Sequence, residues 1–392
     1  MLSILGHSKA RKWLKGREET MQFLSSGPIK DEMIWFHCAS LGEFEQGRPV
    51  LEKLKEEYPQ YKILLTFFSP SGYEVRKDYS GADHVLYLPN DTAAYAKIFH
   101  DHFNIKLGIF VKYDLWYHIL KEAKTRGVEL LLISALFRKD HIYFSWFGGL
   151  HREMLRCFKE IFVQNRKSLD LLHIHEFKNS RIAFDTRFDR VLQIAYNRKA
   201  DEKTEVFKSN YKCIVAGSTW PEDENILIPW ILDHPEWRLV LAPHEMDESH
   251  LKSIEKKCKG ASIRHSEGVF DLKHRVMIID NFGMLSSLYY YSDVAYVGGG
   301  FGVSVHNILE AAVFESPVIF GPHHEKSIEA SELIKLRGGF EIREAKEFRA
   351  LMERFEEEAE RKKYGVIAED YVIERKGGSE VILRYIREEL IR

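Results

Sequence analysis

Glu43 lies in the run His37-Cys38-Ala39-Ser40-Leu41-Gly42-Glu43-Phe44. An apolar, β-rich segment ends there, a glycine marks a turn, and a carboxylate falls where a helix should begin. That places Glu43 at a strand's carboxyl end. A helix N-terminus favours the ionised carboxylate, which is the form a general base needs at neutral pH. The plain alternative is a first-turn acid that serves only the helix dipole. A second run, Val297-Gly298-Gly299-Gly300-Phe301-Gly302, precedes His306-Asn307-Ile308-Leu309-Glu310. Strand, glycine loop and helix in that order can bring backbone N–H groups against a phosphate. It is not a dinucleotide fingerprint, because positions 303 and 305, where the last glycine would fall, are both Val. Glu310, three to four residues into the expected helix, can point back to bind ribose hydroxyls, or be a solvated surface acid.

Further polar residues follow apolar runs. Lys112-Tyr113-Asp114-Leu115-Trp116 comes directly after Leu107–Val111, and Phe184-Asp185-Thr186-Arg187-Phe188-Asp189 carries an arginine able to meet an anion. In the second half, Ala216–Thr219, Leu241–His244, Asp280–Met284 and Phe320–His324 all follow β-rich runs and should line one sheet edge. The adjacent pair His323 and His324 has no carboxylate at ligand spacing, which argues against a metal.

Alternating strands and helices must position these loops. Strands are expected at Met33–Cys38, Ile63–Phe68, His84–Leu88, Leu107–Val111, Leu130–Ser134 and Glu160–Val163. Helical patterns such as Glu43–Tyr58, Thr92–Phe103 and Asp114–Arg126 lie between them, the signature of βαβ units on a parallel sheet. The polar stretch Tyr196–Lys212 reads as a boundary. The alternation then restarts, with strands at Cys213–Ala216, Arg238–Ala242, Val276–Ile279, Val294–Val297 and Pro317–Phe320. Helices are expected at Glu222–Leu232, Asp247–Lys259, Met284–Tyr291 and His306–Phe314. The expected fold is therefore α/β, with two doubly wound Rossmann-like domains, 1–195 and 196–392, facing across a cleft. An amphipathic C-terminal helix, Ser379–Ile391, can return to the first domain.

Length agrees with two domains, since 392 residues exceed the roughly 250–300 at which single cores stop growing. Lys plus Arg number 57 and Asp plus Glu 59, a net charge of −2, which argues against a mainly electrostatic nucleic-acid binder. Cys38, Cys157, Cys213 and Cys258 are scattered without a CxxC, so neither a disulfide framework nor structural zinc is expected. No apolar run reaches the about 18 residues of a membrane span. Residues 1–6 are too short for a secretory signal. Lys9, Arg11, Lys12, Lys15 and Arg17 precede the first acid, Glu18, with Leu5, Trp13 and Leu14 among them. This reads as a basic, weakly amphipathic helix facing anionic lipid, or as a solvated surface helix.

Taken in order, these motifs resemble those of the 3-deoxy-D-manno-octulosonic acid (Kdo) transferases of lipopolysaccharide synthesis. The counterparts are Ser40-Leu41-Gly42-Glu43, Lys112-Tyr113-Asp114-Leu115-Trp116, Asp185-Thr186-Arg187-Phe188-Asp189 and Ser218-Thr219-Trp220-Pro221-Glu222-Asp223-Glu224. Pro243-His244-Glu245, Val305-His306-Asn307-Ile308-Leu309-Glu310 and Gly321-Pro322-His323 complete the set. The resemblance implies a glycosyltransferase-B fold, a CMP-Kdo donor bound by the second domain and a lipid A precursor bound by the first. It also implies inversion at the anomeric carbon, no metal or other cofactor, and peripheral attachment to the cytoplasmic face of the bacterial inner membrane. By position, Glu43 matches the general base and Arg187 a lysine credited with transition-state stabilisation. Pro243, His244, Gly283, Met284, Leu285, Asn307, Ile308, Leu309 and Glu310 match CMP-contacting positions.

The chain departs from the pattern at Lys112, where a Glu is usual, at Arg187 for Lys and at His244 for Arg. The family's hydrophobic N-terminal anchor is expected to be absent or abbreviated. Lys112 is expected to act as a cation at the site, the plain alternative being an ion pair with Asp114. Two other functions fit the same fold: a nucleotide-sugar epimerase, and a non-catalytic two-lobed binding protein.

Overall fold

The computed structural model describes residues 8–268, 271 and 273–391. They fold as two compact units, Met1–Arg190 with Lys376–Arg392, and Val191–Arg375. The first holds a seven-stranded sheet: β1 (Ile29–Cys38), β2 (Lys62–Phe67), β3 (His84–Tyr87), β4 (Phe103–Val111), β5 (Glu129–Ala135), β6 (Glu160–Val163) and β7 (Ser180–Ile182). Its order is β3-β2-β1-β4-β5-β6-β7, every pair parallel. Connections run outward on both sides of β1 and β4, so the strand order reverses between these two, where open α/β sheets hold ligands beyond the carboxyl ends. Both faces are covered. Met33 and Trp35 of β1 pack into one apolar cluster and Ile34, Phe36 and Cys38 into the other, as alternation along a doubly buried strand requires.

The second unit repeats the plan with β8 (Lys212–Thr219), β9 (Trp237–Pro243), β10 (Ser262–Arg264), β11 (Val276–Ile278), β12 (Val294–Val297), β13 (Val318–Phe320) and β14 (Gly339–Glu341). The order is β10-β11-β9-β8-β12-β13-β14, again parallel, with its reversal between β8 and β12. The α/β class with two doubly wound domains is the one expected.

The unexpected strands β7, β10 and β14 are three-residue edge strands, too short for alternation to register. The division between units falls after Arg190, inside the helix Arg187–Tyr196. The polar stretch expected as a boundary instead holds the helix Glu202–Lys208, capped by Asp201, whose side chain accepts from the Thr204 N–H at 2.8 Å. The C-terminal helix Gly378–Glu389 belongs to the first unit. It buries Ile382, Leu383, Tyr385 and Ile386 in that unit's core. Asp189 anchors its start, accepting from the Gly377 N–H at 2.5 Å and the Ser379 N–H at 2.6 Å.

The basic N-terminal segment forms the helix Ser8–Leu24; residues 1–7, including Leu5, lie outside the described residues, as does the Lys9 side chain. Arg17 does not face outward. It is buried at 6% exposure, donates Nε–H to the Leu88 carbonyl at 2.8 Å and stacks 3.7 Å over the Trp13 ring. Arg11, Lys12, Leu14 and Lys15 remain exposed. Among the described residues no helix is long and apolar enough to cross a membrane.

Candidate active site

In the first unit the loops after β1 and β4 bring charge to the point where strand order reverses. Glu43 is the third residue of the helix Leu41–Glu57 and is half-buried. Its carboxylate accepts from the Ala39 N–H at 2.5 Å, so it satisfies a donor at the helix start. Burial pushes its carboxyl above the ordinary glutamate value, against the pull of the Ala39 N–H, Lys112 and His37, while nearby Asp114 pushes it further up. The expectation that the helix terminus would set its ionisation is thus corrected: loss of water outweighs the helix end.

Lys112 follows β4 in a left-handed backbone conformation, φ 66°. It is close enough for its charge to stabilise both the Glu43 and Asp185 carboxylates. It does not pair with Asp114. Asp114 Oδ2 accepts instead from His37 Nε2 at 3.0 Å and Trp116 Nε1 at 3.1 Å. The Trp116 ring in turn stacks on Phe68, just past β2, at 4.9 Å.

Arg187 was expected to reach out to an anion, yet its guanidinium clasps Asp185 within its own loop. Nε and Nη2 donate to Asp185 Oδ2 at 3.0 and 2.8 Å, and its backbone N–H donates to Oδ1 at 2.9 Å. Asp185 is buried and also accepts from Gln46 Nε2 at 2.7 Å. Burial alone would push its carboxyl up, but the Arg187 charge and hydrogen bonds carry it below the ordinary range. Asp185 therefore joins the last strand's loop to the helix that carries Glu43, and Arg187, which holds it, has its side chain 28% exposed.

In the second unit the glycine loop after β12 serves packing. A Cβ on Gly298 would fall 2.3 Å from the Ser218 carbonyl, and one on Gly300 2.7 Å from Gly321 backbone. The Gly298, Gly299 and Gly302 N–H groups donate to Gly217 O, Asp223 Oδ2 and Gly299 O. The phosphate-cradle expectation is corrected for these three donors, and the helix beyond shrinks to Leu309–Ala312. Beside this loop Trp220, His244 and His306 stack, with ring centroids 4.8 and 4.5 Å apart. Burial, with His244 adjacent, holds the His306 imidazole down at about 4. This aromatic stack was not anticipated. Its members lie in three separate motifs, and only the strand order unites them.

Pro243 ends β9, and Gly283, at φ 89°, with Met284 leads into the short helix Leu285–Leu288. Ser286 Oγ and Asn307 Nδ2 donate to the two Glu310 oxygens at 2.5 and 2.8 Å. Glu310, Asn307 and the 283–286 turn are thereby one assembly, while Ile308 and Leu309 are buried beneath it. His323 and His324 diverge, the first to the Gly302 carbonyl and the second to Glu341. Among the described residues no cluster of three or more metal-ligating side chains occurs.

Two doubly wound parallel sheets with polar loops at their reversal points are the architecture of the glycosyltransferase-B fold, which transferases share with epimerases. The fold likeness covers the chain: Neisseria meningitidis UDP-GlcNAc 2-epimerase bound to UDP-GlcNAc superposes with TM-score 0.63 at 15% identity, over 91% of this chain and 100% of that one. Acinetobacter baumannii MurG gives 0.57 at 8% identity, over 91% and 99%. Residues 14–190 match the family model of 3-deoxy-D-manno-octulosonic-acid transferases. Matches to curated relatives are longer and extend into the second half. The 3-deoxy-D-manno-octulosonic acid transferase of Rickettsia bellii is 27% identical over 334 residues, 82% of this chain and 78% of that protein. That of Chlamydia trachomatis serovar A is 26% identical over 338 residues, 79% and 75% respectively. The epimerase and the non-catalytic binding protein therefore give way to a transferase; the epimerase likeness is one of fold alone.

Proposed function

We propose that this protein transfers Kdo from CMP-Kdo to a lipid A precursor with inversion, working as a peripheral enzyme at the cytoplasmic face of the bacterial inner membrane. The observation that carries the reading is Glu43: a half-buried carboxylate at the strand-order reversal, raised above its ordinary pKa and faced by Lys112. A sugar hydroxyl is a poor nucleophile. Glu43 takes its proton as the oxygen attacks the anomeric carbon, help worth about 10²–10⁴ in rate. The bond to the donor phosphate breaks and CMP departs with the electron pair, so displacement from the opposite face inverts the centre. Such a leaving group is already acidic and calls for positive charge, not a proton.

Lys112 supplies a cation for the Kdo carboxylate or an acceptor phosphate, and Arg187 the same through the exposed part of its guanidinium. On the donor side Glu310, already oriented by Ser286 and Asn307, accepts ribose hydroxyls. Pro243, His244, Gly283, Met284, Leu285, Asn307, Ile308 and Leu309 complete the CMP contacts. The exposed cations of the N-terminal helix face anionic lipid. The test is incubation with CMP-Kdo and a lipid A precursor, with mass spectrometry of the lipid. A Kdo-bearing product supports the reading, whereas sugar interconversion or binding without turnover overturns it.

A further inference from the structure

His37 is the last but one residue of β1 and is fully buried. Strand register sets it opposite Thr66 of β2 and Phe110 of β4. Thr66 Oγ1 accepts from Trp35 Nε1 at 2.8 Å and lies 2.9 Å from His37 Nδ1, so one edge of the imidazole is pinned by two strands. The other edge meets Asp114, where Nε2, facing a carboxylate oxygen, carries the ring hydrogen and donates it. A chain of hydrogen bonds thus runs from the closed interior of the sheet to the loop after β4. It ends asymmetrically. Asp114 Oδ2 takes both His37 and Trp116, while Oδ1 has no hydrogen-bond partner among the described residues, on a side chain 25% exposed. A carboxylate oxygen retains acceptor capacity in that state, and it stands in the charge field of Glu43.

We infer that His37 is a positioning residue for the transfer reaction: it clamps Asp114 Oδ2 so that Oδ1 is presented to a hydroxyl of the sugar acceptor beside Glu43. This rests on the proposed function for its substrate, and on the hydrogen-bond geometry for its mechanism. His37 touches no substrate and acts only through Asp114. A rigidly held second carboxylate orients the nucleophile, and orientation of this kind is lost when the supporting group goes. Burial of the ring excludes water from the clamp, so no solvent molecule replaces the missing donor.

The experiment compares His37→Gln, His37→Phe, Asp114→Asn and the double variant His37→Phe/Asp114→Asn with the wild-type chain. Glutamine keeps an N–H near the Nε2 position; phenylalanine keeps the ring and removes the donor. His37→Phe should raise the acceptor KM and lower kcat/KM at least tenfold with the donor KM within twofold. His37→Gln should stay within about threefold of wild type. The double variant should be no worse than Asp114→Asn alone, because both changes break one pathway. The inference is overturned if His37→Phe stays within threefold, if His37→Gln falls as far as His37→Phe, or if the two losses multiply. Ring ¹⁵N resonances of His37 in the wild type and in Asp114→Asn give a readout independent of turnover. A protonated Nε2 whose shift moves in the variant supports the clamp; an unmoved shift overturns it. Absence of Kdo transfer by the wild type overturns the proposed function, while the resonances still decide the clamp.

Discussion

The Glu43 carboxylate accepts a hydrogen bond from the Ala39 N–H at 2.5 Å through one oxygen, while its other oxygen has no hydrogen-bond partner among the described residues. Glu43→Gln keeps an acceptor oxygen for that N–H and removes the base. We expect the fold and CMP binding to be nearly unchanged and turnover to fall about 10²-fold or more. Steady-state rates with circular dichroism check this, and retention of more than about a third of wild-type turnover would show that Glu43 is not the base.

How this site was legible from sequence depends on what carries each contact. Glu43, Lys112 and Asp114 were found because each follows an apolar run within a few residues, and strand ends are local signals. The partnership of His37 with Asp114 was not legible: it joins residues 77 apart in sequence, through a register of β1 with β2 and β4 that a single sequence does not specify. The glycine loop misled for a related reason. Glycine spacing records that something approaches the backbone closely, and a neighbouring loop such as Gly321 demands it as strictly as a phosphate does. The N-terminal cations looked equivalent, and only the packing of Trp13 and Arg17 toward the sheet separated Arg17 from the rest.

The pH dependence follows from the direction of the Glu43 shift. A base must be ionised, and a raised pKa means that ionisation is lost at a higher pH than for an ordinary glutamate near about 4.3. The acid limb of kcat/KM should therefore lie above that value. Asp114→Asn removes a like charge and should move the limb to lower pH; Lys112→Ala removes a stabilising cation and should move it higher. A limb that moves in the same direction in both variants would contradict the electrostatic account.

Lys112 acts through its charge on Glu43 and Asp185 and forms no ion pair with Asp114, which is engaged by His37 and Trp116. Lys112→Ala should lower turnover about tenfold or more, roughly 1.4 kcal/mol of transition-state stabilisation. Lys112→Glu, which restores the residue usual in the family, should not rescue, because it sets a third acid beside Glu43 and Asp114. Near-wild-type rates in Lys112→Ala would make the side chain structural, and full activity in Lys112→Glu would mean that an acid still works there.

The Asp185–Arg187 pair predicts a stability effect with a defined pH window. Asp185 is held below its ordinary pKa in the folded chain. Its contribution is therefore complete above the unfolded value of about 3.9, and is lost as pH falls through the folded one. Asp185→Asn leaves a half-exposed arginine facing a buried amide. At pH 7 it should cost about 3 kcal/mol, the low end for breaking a buried pair. Urea denaturation at pH 7 should show the gap, and the gap should shrink toward pH 3. A gap independent of pH would assign the effect to packing.

The proposed attachment to a membrane can be tested apart from folding because Arg17 is buried while Arg11, Lys12 and Lys15 are exposed. Deleting residues 1–17 would remove the buried Arg17 and expose the Leu88 carbonyl and Phe68 it covers, so loss of binding in a truncated chain would prove little. Lys9→Gln, Arg11→Gln, Lys12→Gln and Lys15→Gln together leave Arg17 and Trp13 in place. The partners that Lys12 and Lys15 would lose, Glu74 at 3.8 Å and Glu19 at 3.7 Å, form exposed pairs, which contribute little to stability. Near an anionic surface each cation contributes about 1 kcal/mol, so four neutralisations should weaken binding to phosphatidylserine-containing vesicles at least tenfold. Sedimentation at low and high salt should show wild-type binding fall with salt, because the attraction is screened, and the variant's weaker binding respond less. Equal binding by the two chains at low salt would remove the N-terminal helix from any role at the membrane.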